Sequence, residues 1–182
     1  IRVAGDFIMK NPRQMKKKLK SNKSIKKPIV ICYYQNIKKD FYQLIKKIDS
    51  SNLMILGRNN ADIFTVLDHQ LKLENNQIID QNYHFYYKTI HKAKGLEEDN
   101  VVIINLTNDI NSLPSKIKNE KILRYVIKHY DIYPFEEERR LFYVGLTRTK
   151  NYCYLFVPKD NPSIFVRELQ KNYREYISII NL

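Results

Sequence analysis

The stretch FEEERRLFYVGLTRTKNYCYLFVP, residues 135–158, joins a charged helical segment to an apolar run with almost no loop between them. Its glutamates favour the positive end of a helix, and its apolar residues recur at helical spacing. The run YCYLFV, residues 152–157, is short and continuous, which is typical of a strand buried on both faces. A helix that leads directly into such a strand indicates a parallel α/β sheet. The helix face predicted to pack on that sheet consists of Leu141, Phe142, Val144 and Leu146.

The same alternation of helices and short apolar runs extends outward along the chain. Buried strands are predicted at residues 28–34, 53–56, 85–90, 101–106 and 152–157. Helices are predicted at residues 1–10, 12–19, 36–49, 61–71, 116–130, 135–148 and 163–173. We therefore predict an α/β fold with a mainly parallel sheet covered on both faces. Ligands gather at the carboxyl ends of the strands in such folds, and there we expect the functional residues.

The size and composition suit one globular domain, since the chain has 182 residues and is 43% hydrophobic. No apolar run reaches the roughly 20 residues that cross a bilayer, so we expect no membrane contact. The chain begins at Ile1 within a helical pattern, which indicates a piece of a longer protein. Cys32 and Cys153 both fall in predicted buried strands, which favours free thiols and a reducing, cytoplasmic compartment.

The charge is strongly positive, with a formal net charge of +13. From Phe7 to Lys39 there are eleven basic residues and no acidic one. Such a patch suits the phosphate backbone of a nucleic acid. The abundance of Lys, Asn, Ile and Tyr throughout the chain offers a second explanation, the codon bias of an AT-rich genome. The charge by itself therefore does not name a function.

A cluster of polar residues follows the strand predicted at 85–90, in the segment YYKTIHKAKGLEEDNVVIINL. Thr89, His91 and Lys94 offer hydrogen bonds or charge that suit phosphate oxygens. Gly95 permits a positive φ or a close backbone approach, and Glu97 can accept a hydrogen bond from a ribose hydroxyl. The alternative is an ordinary connection between two elements, in which Lys-Gly is a common turn. Their presence in one loop favours a functional site.

Arg148 follows the helix predicted at 135–148, and its role has two interpretations. It can complement the negative end of the helix, or it can be held by a rigid element toward a phosphate and grip that phosphate with two hydrogen bonds. Gly145 lowers helix stability by about 1 kcal/mol relative to alanine, which indicates close packing or a closely approaching ligand. Glu136 and Arg140 are spaced to form a supporting ion pair.

Several motifs of catalysis are missing from the sequence. There is no G-x-x-x-x-G-K-[ST] loop to cradle nucleotide phosphates, and no Asp-Glu pair ends an apolar strand to hold magnesium. No zinc-binding spacing and no Ser-His-Asp pattern occurs, so no metal site is predicted. The chain therefore has residues that could sense a nucleotide and none that could hydrolyse one alone.

Two segments together resemble a known family. TIHKAKGLEEDNVVII resembles motif V of superfamily 1 DNA helicases of the UvrD/Rep type, and EEERRLFYVGLTRTK resembles their motif VI. LMILGRNNAD is similar to their motif IV region. AGDFIMKNPRQMKKKL and NPSIFVREL are most similar to the helicase IV group of bacteria, so the resemblance spans nearly the whole chain.

The resemblance implies the second RecA-like motor domain of such a helicase, a three-layer α/β domain without its own Walker A loop. Residues 1–182 would form this domain, with residues 1–27 as a basic helical N-terminal arm. ATP and Mg²⁺ would be held mainly by the first RecA-like domain of the same full-length chain. The arginine doublet of motif VI, Arg139 and Arg140, is expected to be mainly structural.

The resemblance also implies roles for individual residues. Arg148 matches the motif VI arginine that reaches the γ-phosphate, and would be the catalytic residue. Glu97 matches the motif V glutamate near the nucleotide sugar, and Gly95 belongs to the same nucleotide-binding group. The residues expected to contact DNA are Thr89, His91, Lys94, Arg58 and Asn60.

The sequence departs from the family pattern at three points. Glu98 stands where an aromatic residue is common, and Thr149 replaces a usual alanine. Only thirty residues separate Arg58 from Thr89, which leaves no room there for the large accessory 2B insertion of the UvrD type.

We therefore predict the C-terminal motor domain of an ATP-dependent 3′–5′ DNA helicase, inactive in isolation, that binds single-stranded or duplex DNA. The expected setting is DNA repair at the bacterial nucleoid. One alternative is the motor domain of a helicase-like ATPase that remodels RNA polymerase, because both classes use the same motifs. Another is a basic nucleic-acid-binding domain with no motor partner.

Overall fold

The structure is a computed structural model that describes residues 1–12, 14, 23–48, 52–68, 71–75, 77–79, 84–117 and 133–182. The helices predicted at 12–19 and 116–130 lie almost entirely outside these residues. Across the described residues strands and helices alternate as the sequence predicts, except between residues 72 and 103, where four strands follow one another.

The strands are β1 (Ile29–Tyr34), β2 (Leu53–Gly57), β3 (Lys72–Glu74), β4 (Gln77–Ile79), β5 (His84–Thr89), β6 (Glu98–Ile103), β7 (Thr149–Pro158) and β8 (Ile177–Asn181). The α-helices are α1 (Arg2–Ile8), α2 (Ile37–Lys47), α3 (Ile63–Val66), α4 (Glu136–Leu146) and α5 (Ile164–Asn172). Short 3₁₀ turns cover Asn60–Asp62 and Arg174–Tyr176.

The described strands form one sheet in the order β3-β4-β5-β2-β6-β7-β1-β8. In this spatial order, every neighbouring pair in the series β5-β2-β6-β7-β1-β8 is parallel. The β3–β4 hairpin is antiparallel and joins β5 in the antiparallel direction. The predicted mainly parallel α/β sheet is therefore confirmed. The hairpin occupies part of the interval between Arg58 and Thr89, where the sequence leaves no room for a large insertion.

The largest differences from the sequence predictions lie at the edges of the sheet. The helix predicted at 61–71 ends at Val66, and the backbone becomes extended at Leu67. Strands β3, β4 and β8 were not predicted. These strands are only three to five residues long, and each depends on its neighbour in the sheet: β3 pairs with β4, β4 with β5, and β8 with β1. Strand β6 also begins earlier than predicted, at Glu98, because that residue pairs with Thr149 of β7.

Apolar side chains fill two separate clusters, and the helices divide between them. One cluster contains side chains of α1, α4 and α5, and the other contains side chains of α2 and α3. Both clusters are completed by alternate residues of the central strands, such as Ile31 in the first and Cys32 in the second. The sheet is thus covered on two faces, as continuous apolar strands require. In the described part of the chain, no helix is long and apolar enough to cross a membrane.

Helix α1 is part of the core. Its Phe7 is fully buried, and the ring centroid lies 5.4 Å from that of Phe142 and 5.3 Å from that of Phe165, both edge to face. The beginning of the expected N-terminal arm therefore packs into the domain body. Residues 23–27 of the expected helical arm are not helical. The aromatic contacts join α1 to α4 and α5 although these elements are far apart in sequence.

The two cysteines are free and buried, as predicted. Burial raises the pKa of the Cys32 and Cys153 thiols to about 12. The thiolate form is therefore scarce at neutral pH, and both side chains act as small core residues.

A buried arginine joins α4 to α5. Arg139 is 8% exposed, and its Nη2 lies 2.6 Å from Oε2 of Glu168 while its Nη1 lies 3.2 Å from Oε1. Its guanidinium also faces the rings of Phe7 and Phe165. Lys10 donates a second charged hydrogen bond to Glu168, at 2.8 Å. The structural role predicted for Arg139 matches these contacts, and Arg140 forms the predicted pair with Glu136.

Replacing Glu168 with glutamine should lower the free energy of unfolding by about 1–3 kcal/mol near neutral pH, because the buried charge of Arg139 then loses its anionic partner. Burial tends to raise the pKa of Glu168, but the hydrogen bonds from Arg139 and Lys10 outweigh it and lower that pKa below 4.5. A lowered pKa means that the stabilisation is complete above 4.5 and is lost as the pH falls through the folded-state pKa.

Urea denaturation at a series of pH values checks this prediction. The difference between wild type and Glu168→Gln should be largest above about pH 6 and should shrink toward about pH 3. Glu175→Gln, at an exposed position, is the matched control and should have little effect at any pH. A difference that does not change with pH would contradict the role of the carboxylate.

Candidate functional site

The connection between β5 and β6 runs from the carboxyl ends of the parallel strands back to their amino ends. These two ends of the strands are called the carboxyl edge and the amino edge below. At its start, the Ile90 amide donates to the Gly57 carbonyl at 2.9 Å, beyond the carboxyl end of β5. At its end, the Glu98 amide donates to the Arg148 carbonyl at 3.0 Å, where β6 and β7 begin. The predicted residues therefore divide into two groups. The expectation that all of them lie at the carboxyl ends of strands is wrong for Glu97 and Arg148, because parallel strands need a return connection.

The first group lies at the carboxyl edge. Thr89 pairs with Gly57 in the register of β5 and β2, and is 7% exposed. Its hydroxyl accepts a hydrogen bond from the Lys92 amide at 3.4 Å. His91 and Lys94 are exposed in the turn that follows. The exposed pair thus stands beside a buried threonine that helps to shape the turn.

The turn after β2 belongs to the same edge, and Asp62 organises it. Its Oδ2 accepts hydrogen bonds from the amides of Arg58 at 2.7 Å and Asn59 at 3.0 Å. Its Oδ1 accepts a third, from Nδ2 of Asn105, at 3.0 Å. The Tyr87 hydroxyl donates to the Asn59 carbonyl. These bonds fix the backbone that presents Arg58, while Asn60 at the tip is exposed.

The Arg58 guanidinium is engaged by Glu138 of α4. Its Nε lies 3.1 Å and 3.0 Å from the two carboxylate oxygens, and its Nη2 lies 2.7 Å from Oε1. The hydrogen bonds to Glu138 raise the pKa of Arg58. A positive charge paired in this way attracts a phosphate less than a free one does. The DNA contact expected of Arg58 remains a prediction.

Arg148 occupies the amino edge, beside the end of α4. Its Nε donates to the Val144 carbonyl at 3.0 Å, its Nη1 to the Leu96 carbonyl at 3.2 Å, and its Nη2 to the Thr147 hydroxyl at 3.0 Å. The first bond is the helix-end interaction that the sequence offers as one interpretation. Among the described residues no carboxylate lies within ion-pair distance, so these neutral oxygens orient the guanidinium without cancelling its charge.

Glu97 and Gly95 lie close to Arg148 in the return connection. Glu97 is exposed and directly follows Leu96, whose carbonyl accepts the hydrogen bond from Arg148. Gly95 has the predicted positive φ, at +88°. Gly145 is explained by packing, since a Cβ there would lie 3.0 Å from Cδ1 of Ile103. In the described ranges there is no group of three or more His, Cys, Asp or Glu residues that could hold a metal ion.

Asp62 and Glu138 are two organising residues that the sequence did not reveal. Asp62 follows Asn59 at the spacing of a capping box, so the signal was present in the local pattern. Glu138 is indistinguishable in sequence from its acidic neighbours, because its partner Arg58 is eighty residues away. Only the fold identifies it.

Comparisons with known proteins give the fold and the family of the chain. The solved C-terminal domain of a possible DNA helicase from Lactobacillus plantarum WCFS1 matches with a TM-score of 0.53 and 16% identity, covering 98% of this chain and 95% of that one. The class is therefore an α/β domain with the fold of that helicase C-terminal domain. The family model of the UvrD-like helicase C-terminal domain matches residues 2–159, and the chain belongs to that family.

Two relatives give the sequence relationship. The chain is 30% identical over 179 residues to DNA helicase IV of Escherichia coli K12, covering 93% of this chain and 24% of that protein. It is 37% identical over 99 residues to a probable DNA helicase II homolog of Mycoplasma pneumoniae, covering 51% of this chain and 12% of that protein. The chain thus spans a quarter or less of the length of these relatives.

Gly57→Ala should disturb the carboxyl edge. A Cβ at Gly57 would collide with the Tyr87 hydroxyl and lie 2.9 Å from Cβ of Asp62, the two side chains that hold the Arg58 turn. We expect a loss of about 1–3 kcal/mol in the free energy of unfolding, measured by urea denaturation. Gly5→Ala is the matched control, because nothing lies within 4 Å of its Cβ position in α1. That control should stabilise the protein by up to about 1 kcal/mol. Equal effects of the two changes would refute the packing explanation.

Proposed function

We propose that this chain is the second motor domain of an ATP-dependent DNA helicase with 3′–5′ polarity. In this proposal, ATP binds to the first motor domain of the full-length protein, and Arg148 reaches it across the gap between the domains. Support comes from the family match and from relatives named as DNA helicases. The same proposal puts the protein at the bacterial nucleoid, in the cytoplasm, with a role in DNA repair.

The proposal rests on the hydrogen-bond partners and the position of Arg148. It is held by two carbonyls and a hydroxyl, beside Glu97, at an edge where β6 and β7 begin. These bonds use three of the five N–H groups of the guanidinium, and, as far as the described residues go, the other two remain for a ligand. An oriented guanidinium of this kind stabilises the charge that develops on a departing γ-phosphoryl group. In nucleotide hydrolases that contribution is about 10³–10⁵ in rate.

The residues available for the nucleotide are few, which fits half of a shared site. Arg148 would face the γ-phosphate, and Glu97 would accept a hydrogen bond from the nucleotide sugar beside the Gly95 turn. Mg²⁺ and the phosphate-cradling loop would come from the first motor domain, since this sequence contains no such loop. We therefore expect the isolated chain to lack ATP hydrolysis.

The DNA contacts would lie at the opposite edge. His91 is exposed directly after Thr89, which pairs with Gly57 beside the turn that carries Arg58 and Asn60, and Lys94 is exposed further along the same connection. The formal net charge of +13 favours binding to a phosphate backbone. Nucleotide and strand would thus bind at the two ends of one connection, residues 90–97. Closure of the two motor domains on ATP would then shift the strand-contacting loops relative to the first domain.

Arg148→Ala in the full-length protein should lower DNA-stimulated ATP turnover by about 10³-fold or more, while ATP binding largely survives. Arg148→Lys should also be impaired, because an ammonium group cannot reproduce the two-pronged geometry. A coupled ATPase assay and nucleotide titration measure the two quantities. Arg167→Ala, at an exposed position on α5, is the control and should keep wild-type turnover. Turnover retained by Arg148→Ala would refute the proposed role.

His91→Ala and Lys94→Ala should both weaken binding of single-stranded DNA, but in different ways. Loss of the His91 imidazole should reduce affinity by removing an exposed hydrogen-bonding side chain from this turn. Loss of Lys94 should reduce the slope of log K against log salt by about 0.7. Fluorescence anisotropy of a labelled oligonucleotide at several salt concentrations measures both effects. Lys171→Ala, an exposed change on α5, is the control. Unchanged affinity in both variants would argue against a strand contact at this edge.

A strand-displacement assay separates this proposal from its rival. A helicase displaces a labelled strand from a partial duplex when ATP is added. An ATPase that remodels RNA polymerase would hydrolyse ATP and bind the polymerase without displacing the strand.

A further inference from the structure

Helix α4 runs from the carboxyl edge to the amino edge of the parallel strands. Its first turn carries Glu138, which contacts the Arg58 turn at the carboxyl edge. Its last turn provides the Val144 carbonyl that accepts a hydrogen bond from Arg148 at the amino edge. The helix has 11 residues, so it spans about 16 Å. One rigid element therefore supports both regions to which the proposed function assigns ligands.

Glu138 differs from its acidic neighbours. Glu136 and the exposed Glu137 both pair with Arg140 of the same helix. Glu138 instead pairs outside its own helix, and both of its carboxylate oxygens accept hydrogen bonds from Arg58. It accepts a further bond from the Ser115 amide at 3.0 Å. Its carboxylate thus joins α4 to two other segments.

The segments held by Glu138 are also joined to each other. Nδ2 of Asn59 donates to Oδ1 of Asn111 at 3.2 Å, and Nδ2 of Asn105 donates to the Asn111 carbonyl at 3.0 Å. Asn105 also donates to Asp62, which holds the Arg58 amide. A displacement of the Arg58 turn would therefore be transmitted to α4 through Glu138.

We propose that Glu138 is a positioning residue that couples strand binding at the Arg58 turn to the placement of Arg148. This inference rests on the proposed function. A DNA phosphate that attracts the Arg58 guanidinium competes with the Glu138 carboxylate for the same N–H groups. When Arg58 turns toward the phosphate, its hydrogen bonds to Glu138 in the first turn of α4 weaken. The helix then shifts as one rigid element, since Leu141 and Phe142 bury its inner face. Because the last turn supports Arg148, its guanidinium shifts relative to the nucleotide.

Glu138→Gln in the full-length protein tests the coupling, and Glu137→Gln on the same turn is the matched control. The readouts are the ratio of ATP turnover at saturating single-stranded DNA to turnover without DNA, and the DNA concentration that gives half stimulation. Coupling between two sites typically changes such a quantity by about 5–150-fold. We expect the ratio to fall about fivefold or more in Glu138→Gln and to keep the wild-type value in Glu137→Gln. A wild-type ratio in Glu138→Gln would overturn the proposal.

Two further measurements separate coupling from simple stability. In the double variant Arg58→Gln with Glu138→Gln, the stimulation ratio should equal the lower of the two single-variant ratios, because both changes break the same interaction. If the two effects multiply as independent effects do, the proposal is overturned. Should Glu138→Gln fold poorly, Glu138→Asp keeps the charge but withdraws it by one methylene group. It should show a reduced ratio with a thermal midpoint near that of wild type, and a wild-type ratio in folded Glu138→Asp would overturn the proposal.

Failure of this inference is distinguishable from failure of the proposed function. If Arg148→Ala abolishes turnover while Glu138→Gln stimulates normally, only the coupling role of Glu138 is rejected. If Arg148→Ala retains full turnover, the proposed function itself fails and the coupling inference falls with it.

Discussion

The return connection between two parallel strands is the constraint on which the rest of this structure depends. After β5 ends at Thr89, the chain must come back to the opposite edge before β6 begins at Glu98. Ile90 and Ala93 bury the connection in the core, and Gly145 lets α4 approach within contact of Ile90. The connection therefore has one exposed end at each edge of the sheet. A single short segment can contribute to two separated sites because its middle is fixed by packing.

Two ion pairs hold α4, and they differ in what they do. Arg139 and Glu168 join α4 to α5 within an aromatic environment, so this pair stabilises the domain. Arg58 and Glu138 join the same helix to an edge where exposed polar residues gather. A pair at an edge can exchange one partner for a ligand, whereas a pair surrounded by aromatic rings has no such competitor. The same chemistry thus serves stability in one place and, in our proposal, communication in the other.

The elements that could be predicted from the sequence are those with a strong local pattern of apolar residues. The continuous apolar runs of β1, β2, β5 and β7 and the helical spacing of α2, α4 and α5 were visible in the sequence, and the structure confirms them. The outer strands β3, β4 and β8 were not visible, because segments of three to five residues become strands only when a neighbour offers backbone partners. The loop residues Thr89, His91, Lys94, Glu97 and Arg148 were recognisable by motif. Their division between two edges was not.

The sequence by itself determined the class of fold, the family and the residues most worth testing, because these depend on residue types at short spacing. Tertiary structure alone decided which residues are neighbours across long separations. It paired Arg58 with Glu138, and it left Arg148 held by neutral oxygens with its charge intact. Both outcomes depend on where the sheet and α4 bring distant backbone atoms together. A charged side chain in a sequence can be a structural anchor or a binding group, and only the oxygens around it in the folded chain distinguish the two.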